Sequence, residues 1–314
     1  MKHPMHFSVS ICTCILLSGI IIMSCQKQCT VTPISKNDII IIDAGKSQIV
    51  SVTGDTAKLT GNVLSGRPSI TSYAWSTISG PNSPAISNGD SVSSVATGLT
   101  AGVYVFQLKA SSPDNVGLDT TTVIVTKTII LRIDSTTNGK AYNFQLINTS
   151  DGSNPSGEEI FAGAWTSGGL PYDTKSGFLF DLNQLPANST IVSAKLTLYS
   201  DSTPLNGDHL GDANSGANNA FYLERMTGSW NYTSSWFNIP TTDTANGILV
   251  PSTVLPQLDI ADLDVTGMVK TMYTTNNYGF QIRMQDTVPY TTRIFCAGYY
   301  PQVYRHPKLE ILYH

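Results

Sequence analysis

Val103-Tyr104-Val105-Phe106-Gln107-Leu108 and, further on, Thr121-Thr122-Val123-Ile124-Val125 are the two runs whose reading decides the fold. Both are rich in β-branched and aromatic residues, and the turn cluster Ser112-Pro113-Asp114-Asn115 stands between them. Branched and ring side chains suit a pleated, half-buried surface, while Pro, Asp and Asn bend the chain, so the pattern predicts two short strands. Working outward, Ile49-Val50-Ser51-Val52 and Tyr73-Ala74-Trp75 repeat it, with turns at Thr53-Gly54-Asp55 and Ser79-Gly80-Pro81-Asn82. Strands at this spacing over about 90 residues predict an immunoglobulin-like sandwich, with Trp75 as its buried core tryptophan.

Beyond Thr128 the chain stays strand-rich but its loops lengthen. Strands are expected at Ser176–Leu182, Ile191–Tyr199, Tyr278–Met284 and Pro307–Tyr313. One short helix is expected at Val265–Met272, with Asp264 as N-cap and Val265, Met268, Val269 and Met272 at helical spacing. Pro204–Asn219 is rich in Gly, Asn and Asp without periodicity and reads as a long surface loop.

The start of the chain reads as a leader. Lys2, His3 and His6 precede an apolar run, closed by Ile22-Met23-Ser24-Cys25. Ser8, Ser10, Thr13 and Ser18 interrupt that run, which argues against a membrane span of about 20 apolar residues. The closing tetrad resembles a bacterial lipobox, which implies cleavage before Cys25 and lipid on its thiol. Residues 1–24 are then a signal peptide and 25–37 a polar tether. Gln26 after the cysteine implies an outer-membrane lipoprotein, on either its periplasmic or its surface side.

Two further resemblances follow. Tyr73-Ala74-Trp75-Ser76, Ile78-Ser79-Gly80-Pro81 and Gly98–Phe106 make residues 38–127 resemble the PKD-type domains of secreted bacterial proteins. Residues 128–314 resemble the DNRLRE domain, which overlaps carbohydrate-binding module family 96. The pieces that carry this keep their order: Ala164–Gly169, Phe180-Asp181-Leu182, Ala194–Tyr199, Tyr222-Leu223-Glu224-Arg225, Ser235–Asn238, Asn277–Phe280 and Arg305–Leu309. Lys140 and Lys175 depart from the usual pattern, which has an acidic residue and an arginine there. The resemblances imply an all-β chain, an immunoglobulin-like sandwich followed by a jelly-roll-like one, and a non-catalytic role in binding polysaccharide. The alternatives are a structural or adhesive surface protein without a glycan ligand and, third, a polysaccharide hydrolase or lyase.

Composition agrees with an exported, strand-rich protein. Charged residues are 13% of the 314 and the net charge is −4. With no basic block, nucleic acid is excluded as a partner. No cofactor is expected, and the chain is expected to be a monomer. His209, His306 and His314 stand in no catalytic or metal pattern, and the adjacent Glu158 and Glu159 cannot face each other across a sugar. Asp259, Asp262 and Asp264 are the calcium candidate, against a helix cap at Asp264 and solvated strand edges for the rest. Cys29 and Cys296 remain after the leader; a disulfide is one reading, and Cys296 as a small buried hydrophobe is the preferred one.

Sugar rings stack on aromatic faces and their hydroxyls need planar polar partners. Trp165 and Tyr172 around the Gly168-Gly169 turn, Tyr299 and Tyr300 before Pro301, and Arg293 are therefore the carbohydrate-binding candidates. Trp165 reads equally well as a core anchor, and Trp230 and Trp236 read as core. The second half carries 16 acidic against 10 basic residues. An acidic glycan would need a local cluster, from Lys175, Arg283, Arg293 and Arg305. Finally, Asp-(Ser/Thr)-apolar or Thr tripeptides resemble the O-glycosylation signal of exported Bacteroidota proteins. They give candidates Thr56, Ser91, Thr120, Ser135, Ser202, Thr244 and Thr287; turn chemistry, which also favours Asp before Thr or Val, is the competing explanation.

Overall fold

The computed structural model describes residues 39–65, 70–133, 143–148, 153–154, 157–207, 212–231 and 234–314. The leader, Cys25, Cys29, Ser135, Lys140 and His209 lie outside the described residues. The first half holds β1 (Ile41–Asp43), β2 (Gln48–Ser51), β3 (Thr56–Thr60), β4 (Asn62–Ser65) and β5 (Ser72–Ser79). It continues with β6 (Ala85–Ser87), β7 (Ser93–Thr97), β8 (Gly102–Ser111) and β9 (Val116–Arg132). Then follow β10 (Asn143–Ile147), β11 (Ser153–Asn154), β12 (Glu159–Ser167), β13 (Leu170–Phe178), β14 (Ile191–Leu198), β15 (Asn214–Ser215) and β16 (Phe221–Met226). The chain closes with β17 (Thr242–Val250), β18 (Ile260–Asp264), α1 (Thr266–Thr274), β19 (Phe280–Met284), β20 (Thr291–Cys296) and β21 (Lys308–Tyr313). The fold is thus almost entirely β, as the sequence predicts.

The first half packs as a sandwich. β1 pairs with β4, and β3 and β6 flank β7, while β5, β8, β9 and the parallel β2 form the opposite layer. Trp75 is buried there with Leu59, Tyr104, Phe106 and Val123, and its indole N–H donates to the Val92 carbonyl at 3.3 Å. The ring of Tyr104 stacks on Phe106, and its hydroxyl accepts from the Thr100 amide at 3.0 Å.

β9 joins the two halves. Over Val116–Val125 it pairs with β8, and over Lys127–Arg132 with the last strand, β21. At about 3.3 Å per residue its 17 residues span about 56 Å, so one strand serves two cores. The sheet runs β18-β14-β21-β9-β8-β5 without a break.

In the second half that sheet faces a nine-stranded one, ordered β15-β20-β12-β13-β19-β16-β17 with β10 and β11 attached through β13. Alternation decides the faces: Phe178, Phe280, Ile282, Phe221 and Leu223 turn into a core shared with Leu196, Leu309 and Ile311. The nine-stranded sheet curls into a half-barrel. β16 and β20 are four strands apart, which in a flat sheet is about 19 Å. Yet the Phe221 and Phe295 rings lie 5.6 Å apart.

Three expectations shift. α1 starts at Thr266 rather than Val265, and the Asp264 carboxylate, just outside the cap position, accepts from the Thr266 amide at 2.9 Å. The expected strand around Phe178 lies further back, at Leu170–Phe178, because the Asp181 side chain caps a short 3-10 turn at Leu182–Gln184. Pro204–Asn219 is not simply a surface loop. Pro204, Ala213, Asn214 and Asn219 are buried, and β15 adds to the edge of the curled sheet. Ala213 packs on Phe161 and Ile294, which turned the segment inward. Cys296 is buried with a free thiol, as preferred, and desolvation pushes it up to about 12.

Candidate functional site

The site builds from two cross-strand rows on the outer face of the curled sheet. Lys175, Arg283 and Tyr222 are register partners across β13, β19 and β16. The neighbouring row is Gly177, Gln281 and Glu224. Each alternates with a core residue in its strand, so all six belong to the face turned away from the core. Gly177, itself buried, contributes no side chain beside Gln281.

Charge here is unbalanced. Arg283 donates to Glu224 at 2.6 Å, and the Thr242 hydroxyl donates to the other carboxylate oxygen at 2.5 Å. Glu224 is fully buried, so one carboxylate faces two cations. Like charges directly opposite on adjacent strands repel. The aromatic rings relieve part of this: Lys175 sits over Trp236 at 4.1 Å and Arg283 over Tyr222 at 4.6 Å. Burial first, then the charge of Arg283, holds the Lys175 ammonium below the ordinary lysine range, with Glu224 opposing. Gln281 is buried and its amide Nε2 has no hydrogen-bond partner in the protein. A buried amide donor left unpaired is costly, so a group that accepts from it is strongly favoured there.

The residues singled out from the sequence are dispersed. Trp165 and Tyr172 face each other across β12 and β13. Gly168 and Gly169 form the two-residue turn between them with φ of +56° and +83°, conformations that favour glycine at both positions. Tyr290, with 56% exposure, packs edge-on against Trp165 at 5.1 Å, so these rings form a small aromatic tip on the sandwich. Tyr299 and Tyr300 belong to the other end of β20, about 20 Å away by strand rise. Tyr300 is buried, its hydroxyl 3.4 Å from those of Ser202 and Thr203. Arg293 is no surface ligand. It is fully buried between Phe221 and Phe295, at 5.0 and 5.7 Å, and its Nη1 donates to the Pro251 carbonyl at 3.2 Å. Arg305 is spent on the Ser200 carbonyl. Of the four cations expected to gather, Lys175 and Arg283 do.

The calcium candidate does not assemble. Asp259 accepts from the Ser200 amide at 2.8 Å, Asp262 lies 3.9 Å from Lys308, and Asp264 serves α1. Among the described residues no group of three or more His, Cys, Asp or Glu side chains could hold a metal ion. Hydrogen bonds from Thr266 hold Asp264 below the usual carboxylate range. Of the O-glycosylation candidates, Thr56, Thr120, Ser202, Thr244 and Thr287 are exposed and Ser91 is half-buried.

Sequence reading missed Glu224, Gln281 and Tyr222 as site residues. The alternation in Tyr222-Leu223-Glu224 and Gln281-Ile282-Arg283 carried the signal, because Leu223 and Ile282 claim the core face. Trp236 does pack with Met226, Trp230 and Tyr278, as expected of a core residue, while its ring also receives Lys175.

Comparison with known proteins finds that residues 44–125 match the K319L-like, PKD domain family. The solution structure of the PKD domain from KIAA 1837 protein is 29% identical, over 27% of this chain and 83% of that one, with a TM-score of 0.23. The PKD domain of human KIAA0319 is 22% identical, over 30% of this chain and 88% of that one, with a TM-score of 0.25. The Bacteroides ovatus mixed-linkage glucan utilization locus protein SGBP-B, solved with a mixed-linkage heptasaccharide, is 11% identical. That likeness covers 88% of this chain and 53% of that one, with a TM-score of 0.19. No curated protein matches the chain.

Proposed function

We propose that this chain is a non-catalytic polysaccharide-binding lipoprotein of the outer membrane. Its PKD domain supports a DNRLRE or carbohydrate-binding module family 96-like module, and the Lys175–Arg283 face of that module holds the glycan. The observation that carries this is two cross-strand cations and an unpartnered buried amide, gathered around the Glu224 carboxylate. Such a set suits a chain of sugars bearing carboxylate or sulfate groups: the cations meet the anions, and Gln281 donates to a sugar oxygen. The lipid anchor at Cys25 rests on the lipobox-like tetrad. Mass spectrometry of the mature N-terminus tests it, and an unacylated N-terminus at another residue contradicts it. Sugars on Thr56, Ser91, Thr120, Ser135, Ser202, Thr244 and Thr287 belong to the same reading of an exported protein, and intact mass from the native host tests them.

A glycan array probed with the mature chain tests the binding reading. Retention on acidic polysaccharides without release of reducing ends supports it. Silence across neutral and acidic glycans favours a structural or adhesive protein, and reducing-end release would make it an enzyme.

The site also predicts a pH dependence. Binding of an acidic glycan weakens as pH rises through the Lys175 titration, which lies below the ordinary lysine value of about 10.4. Fold stability moves the other way in that window. The unfolded chain still holds the lysine proton when the folded one has lost it, so stability rises with pH. Lys175→Arg, which stays charged, is expected to keep binding at alkaline pH. Titrations across the alkaline range for both proteins check this; identical pH profiles would remove Lys175 from the site.

A further inference from the structure

We infer that the end of the PKD sandwich from which the chain's N-terminus emerges rests on the lipid bilayer through an aliphatic collar, an inference that builds on the proposed anchor at Cys25. Five large aliphatic side chains are exposed at this end: Ile39 at 51%, Ile41 at 49%, Leu64 at 61%, Val116 at 54% and Leu118 at 56%. They belong to successive neighbours around one edge of the sandwich. β4 pairs with β1, and β1 lies against β9, where the Ala44 amide donates to Asp119 at 2.7 Å. Ile40 fills the space over Gly117, so a Cβ there would stand 2.6 Å from its methyl group. The inward residues of these strands pack the core, and the alternate ones are left outward.

Position names the occupant. β9 starts at this end and carries the chain about 56 Å away to the second core, so the glycan-binding face and the collar lie in opposite halves of the molecule. Thirteen residues, 26–38, separate the anchor cysteine from Ile39. Even fully extended they span no more than about 45 Å, which keeps the collar at high effective concentration over the bilayer. The collar is aliphatic without aromatic rings, and exposed Lys109, the register partner of Leu118, and exposed Asp43 and Asp114 border it. An exposed apolar rim held close to a bilayer by a lipid anchor supplies the second attachment that a single anchor needs to lie stably on a membrane surface.

The test uses the full mature chain with Cys29→Ser, reconstituted in vesicles whose lipids carry a nitroxide near the headgroup. A bimane label is placed in turn at Leu64→Cys, Leu118→Cys and, as the control at the opposite end of β8, Val103→Cys; Cys296 is buried and escapes labelling. Severalfold stronger quenching at 64 and 118 than at 103 is expected. Equal quenching at the three positions in vesicle-bound protein overturns the collar while leaving the anchor. A second copy or another protein covering the edge would shift the bimane emission without nitroxide quenching, which also overturns it. Failure to sediment with vesicles, with an unacylated N-terminus by mass spectrometry, overturns the anchor and the collar together.

Discussion

Arg293→Ala is expected to lower the free energy of unfolding by about 3 kcal/mol, the range of large-to-small changes in a packed interior. The guanidinium is buried where the curled sheet brings β16 and β20 together. Its loss opens a cavity between Phe221 and Phe295 and leaves the Pro251 carbonyl without a donor. Desolvation alone pushes this arginine down to about 10, so it enters the core charged at neutral pH, held by ring faces rather than a carboxylate. Arg293→Met keeps most of the volume and removes the charge, and is expected to stay within about 1.5 kcal/mol of the parent. Urea unfolding of both variants checks the pair. An alanine variant as stable as the parent but unable to bind glycan would return Arg293 to the surface site suggested by its sequence position.

The second large effect separates stability from binding at one residue. Glu224→Gln removes the carboxylate that pairs with Arg283 beside Lys175 while keeping the shape and one acceptor for Thr242. Stability should fall by about 2 kcal/mol, the scale of a lost charged hydrogen bond at a part-exposed pair. Affinity for an acidic polysaccharide should rise severalfold, because the local field becomes more positive. Thermal unfolding and a binding titration on the same sample read the two changes. A variant that loses both would mean Glu224 itself contacts the ligand.

The strands, the short helix and the tryptophan core of the first sandwich were legible because they rest on local alternation and turn residues. Lys175 and Arg283 were legible as cations of interest, but their meeting was not. It depends on the pairing of β13 with β19, more than a hundred residues apart in sequence and fixed by hydrophobic register. Arg293 misled for the same reason. Its neighbours Thr292 and Ile294 give no sign that the sheet curls enough to bring Phe221 over it. The acidic triplet in Asp259–Asp264 looked like a ligand set because sequence proximity hides direction. Asp262 has a φ of +53° and register shifts between Leu196 and Leu198, so the three carboxylates separate. The buried amide of Gln281 has no sequence mark beyond its place next to Ile282 in an alternating strand.

Isothermal titration of an acidic polysaccharide into the mature chain and into Lys175→Glu bears most directly on the Lys175–Arg283 face as the glycan site. The substituted carboxylate would stand opposite Arg283 on the next strand, which relieves the like-charge pair and keeps the fold. Reversing one charge at the site is expected to weaken binding by at least about tenfold with unchanged or higher melting temperature. Equal affinity of the two folded proteins, or no binding by the parent chain to any acidic polysaccharide, would contradict the account.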